Sequence, residues 1–181
     1  YSAALATPTP TPVPAAAFKA RQWMASGLWY RAYETARRGL DRYPGDDGLL
    51  AITAEIEVLE PRARSLHTQI GNGNHRAAVT TTRGLLQRYP EQRDLGVVLR
   101  QSLYNAALDE LKTYNLTGAA TYLDELHELE PGDTEVVRVL DFISKYQARP
   151  VDMQLKVFIK SLGERSGWEQ LEQEPASEVS A

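Results

Sequence analysis

The 181-residue chain contains no cysteine. Disulfides, thiolate zinc sites and cysteine nucleophiles are therefore excluded, although the compartment is not fixed by that absence. Histidine is scarce, with three residues, His67, His75 and His127. None of these forms an HExxH pattern or a pair four residues apart, so the usual helical zinc spacing is missing. No uninterrupted apolar run approaches the roughly 18 to 20 residues that a bilayer span needs, and the chain is expected to be soluble. Basic excess is lacking too: the net charge is −4. That balance argues against binding a nucleic-acid backbone. What is present is an ordinary globular composition, 43% hydrophobic and 24% charged, which can supply a buried core.

The sequence opens on Tyr1, and Pro8, Pro10, Pro12 and Pro14 stand at alternate positions. Proline fixes φ and removes a donor, so residues 1–14 are expected to be an extended linker. Such a spacer fits a tether to a removed membrane anchor or signal, placing the domain at a membrane or outside the cytoplasm. An ordinary N-terminal tail of a cytoplasmic protein fits equally well. At the other end, residues 166–181 are glutamate-rich and are expected to form an acidic flexible tail.

Between these ends, three segments close alike: Gly39-Leu40-Asp41-Arg42-Tyr43-Pro44, Gly84-Leu85-Leu86-Gln87-Arg88-Tyr89-Pro90 and Leu126-His127-Glu128-Leu129-Glu130-Pro131. In each, proline stops a helix and an acidic or hydroxyl residue is placed to cap the next. An alanine stands twelve residues before each proline, at Ala32, Ala78 and Ala119. Gly27 and Gly73 precede the first two alanines and suit a left-handed helix–helix turn, while Asn115 is expected to take that conformation in the third copy. The spacing predicts helices over 47–71, 75–88, 91–113 and 117–129, with Pro61 kinking or breaking the first. Val136, Val137, Leu140, Ile143 and Tyr146 add a further helical stripe. Residues 151–162 fit a helix face or an alternating strand. A lone strand would leave its backbone unpaired, so a capping helix is expected.

These repeats resemble the tetratricopeptide family, with Ala20, Gly27, Ala32, Gly39 and Pro44 in register for the first copy. Gly73, Ala78 and Pro90 match in the second, and Ala107, Ala119 and Pro131 in the third. The prolines stand farther apart than the family's 34-residue period, so the repeats are irregular. The resemblance implies an all-α, tetratricopeptide-like stack over residues 15–165, with about three helix pairs and C-terminal capping helices. It implies a non-enzymatic interaction module or scaffold that receives a peptide or partner helix in a groove. A structural subunit of a membrane-anchored complex is the alternative. Carried onto this sequence, the family's groove positions fall on Arg21 and Met24, on His67 and Ile70, and on Tyr104, Leu108 and Leu111. Lys112 and Arg100 could contact carboxylates of a partner.

Other constellations are weaker. His67 and His75 flank a turn and could converge on a metal, but two solvated surface histidines are the simpler expectation, so no metal, cofactor or catalytic residue is assigned. Gly71-Asn72-Gly73-Asn74 lacks the strand and lysine of a phosphate loop and reads as a turn. Asp46-Asp47 suits a helix start better than acid–base catalysis. Asn115-Leu116-Thr117 has the glycosylation pattern. Lys19, Arg21, Arg31, Arg37, Arg38 and Arg42 outnumber Glu34 and Asp41 in residues 15–43. That cluster could meet an acidic partner surface, anionic headgroups or the chain's own acidic tail, or simply be solvated. Trp23 is expected to pack between helices, and Trp29, at the turn, is left open.

Overall fold

A computed structural model describes residues 15–166; the linker over 1–14 and all but the first residue of the expected acidic tail lie outside them. The described residues form nine α-helices and no strand. None of those helices is long and apolar enough to cross a membrane. The chain divides into two compact units between Leu59 and Glu60.

The first unit holds α1 (Ala15–Ala25), α2 (Trp29–Arg42) and α3 (Asp47–Leu59). Its core joins Ala17, Ala20, Tyr30, Tyr33, Ala36, Leu49, Ile52 and Ile56. Gly39 is the point of closest approach: a β-carbon there would lie 2.8 Å from Leu49 Cδ1 and 3.0 Å from the Ala16 methyl. The small residue in the repeat register is thus a packing requirement. Asp46 caps α3, its carboxylate accepting from the Leu49 N–H at 2.8 Å. Trp23 is half-buried, with the Arg31 guanidinium 4.7 Å from its ring centre. Trp29 meets Tyr30 edge-on at 5.9 Å.

The second unit contains α4 (Arg62–Gly71), α5 (His75–Arg88), α6 (Arg93–Lys112), α7 (Leu116–Leu129), α8 (Thr134–Ser144) and α9 (Met153–Lys160). Helices α4 to α8 pack successively, each on the next, and α9 returns to α6. Pro61 breaks the helix expected over 47–71 into α3 and α4 instead of kinking it. The residue before a proline is pushed out of the helical region, and here that residue, Glu60, is used. Its buried carboxylate accepts from Arg62 Nε at 2.8 Å and from the Arg62 N–H at 3.1 Å. The Tyr89 hydroxyl donates to the same group at 3.2 Å.

The helix–helix turns follow the sequence with one correction. Gly27 and Gly73 have φ of +76° and +69° as expected. In the third turn the left-handed residue is Tyr114, at φ +59°, and not Asn115. Asn115 instead caps α7: its side-chain oxygen accepts from the Gly118 N–H at 3.1 Å, and its amide donates to Glu110 at 2.5 Å. Both groups of the asparagine are needed where the helix begins. Ala32, Ala78 and Ala119 are all fully buried. Residues 153–160 are helical, and Phe158 stacks on Phe142 of α8 at 3.6 Å between ring centres.

A side chain at positive φ costs about 1 kcal/mol, so Gly73→Ala should lower the unfolding free energy by about that much in denaturant titrations. Tyr114→Gly should raise it by several tenths of a kcal/mol. Glu60 is held at about pKa 2, chiefly by the hydrogen bonds from Arg62 and against the opposing effect of burial, whereas its ordinary value is 4.5. A depressed carboxyl stabilises the fold fully above its unfolded value and loses that contribution as pH falls toward the folded one. Between pH 5 and pH 2 the parent should therefore lose on the order of 2 kcal/mol more stability than a Glu60→Gln variant, measured by thermal melts across that range.

Candidate functional site

The twenty residues of α6 are apolar on more than one face. Leu95, Leu99, Leu103, Ala107 and Leu111 are all buried, and every residue from Gln101 to Leu108 is buried as well. On a helix enclosed this far a polar residue without an internal partner is costly; the Gln101 side-chain oxygen has none among the described residues, whereas others do. Glu110 pairs with Arg76, at the start of α5, and with Asn115.

Asn105, 6% exposed, meets the main chain of the segment that follows α9. Its amide nitrogen donates to the Arg165 carbonyl at 2.8 Å, and its side-chain oxygen accepts from the Arg165 N–H at 2.8 Å. One carboxamide thus satisfies both backbone groups of one residue. The Arg165 guanidinium lies over the Tyr104 ring, 3.9 Å from its centre. Its two terminal nitrogens donate to the two oxygens of Asp133 at 2.5 and 3.1 Å. Asp133 also caps α8, accepting from the Glu135 and Val136 N–H groups at 3.1 Å. These donors, Arg165 foremost, hold its carboxyl below the usual range. The Tyr104 hydroxyl donates to Glu135 at 3.5 Å, while burial pushes the phenol's pKa up. Next along the chain, the Glu164 carboxylate lies 3.3 Å from Lys112 Nζ and 3.9 Å from His75 Nε2.

The expected groove residues therefore separate. Tyr104 and Lys112 come together around Glu164 and Arg165, and the carboxylate beside Lys112 is the chain's own Glu164. Leu108, 3% exposed, and Leu111 are core residues and not groove-lining ones, because α7 packs on α6 and they join one apolar cluster with Leu123, Leu126 and Val139. Tyr104 is likewise buried, presenting its ring to Arg165 alone among the described cations. Arg100 pairs with Glu130 at 3.4 Å. His67 is half-buried and Ile70 exposed on α4. Arg21, paired with Glu55 at 3.8 Å, and half-buried Met24 belong to the first unit.

His75 is 7% exposed, not solvated as expected. Its ring nitrogen and single oxygens of Asp109 and Glu164 lie within 4.8 Å of one another. Lys112 Nζ is 3.6 Å from Asp109 and 3.3 Å from Glu164, so an ammonium already balances the two carboxylates. The Asn115 amide, which a glycan would require, is engaged by Glu110.

Asn105, Asp133 and Arg165 escape a reading by repeat register. Their signals were an asparagine amid the apolar run of α6 and the lone basic residue in an acidic C-terminal stretch. Comparison with protein-family models, curated proteins and solved structures found no match to the chain.

The hold on residue 165 predicts that Asn105→Ala speeds hydrogen exchange of the Arg165 amide at least about tenfold, the loss of one hydrogen bond of roughly 1.4 kcal/mol. Amides in the middle of α7 should be unchanged. Exchange followed by NMR decides between these outcomes.

Proposed function

We propose that the second unit is a non-enzymatic protein-interaction module that receives a short peptide segment of a partner along α6. The observation that carries this reading is the Asn105 carboxamide, paired with both main-chain groups of a non-helical residue. A buried amide used this way recognises a peptide backbone irrespective of its side chains, and flanking pockets then add selectivity. Tyr104, Asp133 and Lys112 supply such flanking groups. The resemblance to tetratricopeptide repeats supports the same role, since that family presents its first helices to peptide ligands. Here the recognising side chains lie on one such helix, α6, and at the start of α8.

The test uses the full chain carrying Arg165→Ala, which removes the guanidinium held by Tyr104 and Asp133. A displayed library of random peptides is panned on it, and the recovered peptides are measured against the same chain with Asn105→Ala added. Peptides that bind the first variant and lose about tenfold or more in affinity for the second support the module. Recovery of no peptide, or of peptides indifferent to Asn105, overturns it in favour of a structural subunit.

A further inference from the structure

Glu164 and Arg165 are held by groups that differ in kind on their two sides. Arg165 meets an aromatic face and a carboxylate that takes two parallel N–H donors, with Glu135 adding negative charge near the ring. A planar guanidinium satisfies both demands at once, whereas an ammonium can make neither the fork nor the flat stack as well. Glu164 faces the cationic Lys112 and the His75 imidazole. Asn105 fixes the register by the main chain between these side-chain sites.

We propose that the α6 site is specific for an arginine preceded by an acidic residue in a partner protein, and that the chain's own Glu164-Arg165 fills it as an intramolecular competitor. This rests on reading the α6 face as a peptide site, and it adds the chemistry of the ligand and a means of regulation.

The way the segment is held favours exchange. Residues 163, 164 and 166 are exposed. Leu162, packed against the core cluster, is the last apolar anchor before the segment; residues 163–166 carry no apolar side chain, and a β-carbon on Gly163 would meet nothing within 4 Å. Its hold is a backbone pair, one stacked ion pair and an exposed carboxylate contact, each of them individually weak in water. Asp133 retains two backbone donors of α8 when Arg165 departs, so the cap does not depend on the segment. A tethered ligand of this kind acts at an effective concentration of roughly 1 mM. It therefore weakens an external peptide with an intrinsic Kd near 0.1 mM about tenfold.

The probe is a labelled, end-blocked peptide copying residues 161–166, titrated into the full-length parent, into Arg165→Ala and into Arg165→Ala with Asn105→Ala. Arg165→Ala should bind it about ten times more tightly than the parent. The double variant should lose that gain, as should a probe with lysine in place of its arginine. Equal affinity of the parent and Arg165→Ala overturns the competitor, and equal affinity of the arginine and lysine probes overturns the arginine specificity. If Arg165→Ala ignores the probe yet binds library peptides through Asn105, the acidic–arginine ligand falls and the peptide site stands. If it binds neither, both fall. Self-association of the parent that disappears in Arg165→Ala assigns the segment to a second copy and overturns the intramolecular arrangement. Should Arg165→Ala fail to fold, the parent alone decides by NMR. Excess probe should move the Arg165 amide resonance to its free-chain position, and an unmoved resonance overturns the proposal.

Discussion

Burial of α6 is the constraint on which the second unit depends. Its apolar residues are covered by neighbours that include α5, α7 and α9. Polar groups on such a helix lose water, and each unpaired one would cost about 1 to 3 kcal/mol. Two of them accordingly organise their surroundings. Glu110 ties the start of α5 to the cap of α7 through Arg76 and Asn115, which also joins two consecutive helix hairpins. Asn105 draws in a backbone sixty residues away.

The chemistry proposed for the site grows from that second requirement. A buried carboxamide has one donor group and one acceptor, and a peptide unit offers the complement of both. Any backbone would do, so selectivity has to come from what flanks the asparagine. Tyr104 and Asp133 stand on one side and Lys112 and His75 on the other, so the contacts differ along the direction of the segment they hold. Asp133 is economical in this respect, because the carboxylate that starts α8 also grips the guanidinium.

Helix boundaries were the most legible part of the sequence. The periodicity and the prolines place α5 at 75–88, and α6 and α7 within a residue or two of their observed ends. Asp46 and Asp133 cap as their positions after Pro44 and Pro131 suggest. After Pro90 the cap position is instead occupied by Gln92, whose side chain makes no capping bond. The third turn was misassigned because Asn115 is suited to both a left-handed turn and a helix cap. The cap prevailed because it also satisfies Glu110. The candidate site was legible only in part. Lys112 and Tyr104 lie at it, but Leu108 and Leu111 face the core, since α6 is covered on more faces than a repeat's first helix with one open side.

By itself, then, the sequence determined that the described residues are helical, where α5, α6 and α7 start and stop, and the small residues at which helices touch. Those properties depend on neighbours within about one helical turn of each other, which the order of residues states directly. The tertiary structure alone decided which side of α6 stays polar, that His75 is enclosed, and that Arg165 lies against Tyr104, Asn105 and Asp133. The Arg165 contacts join residues thirty-two to sixty-one positions apart. Their energies come from desolvation and geometry that exist only once the helices have packed.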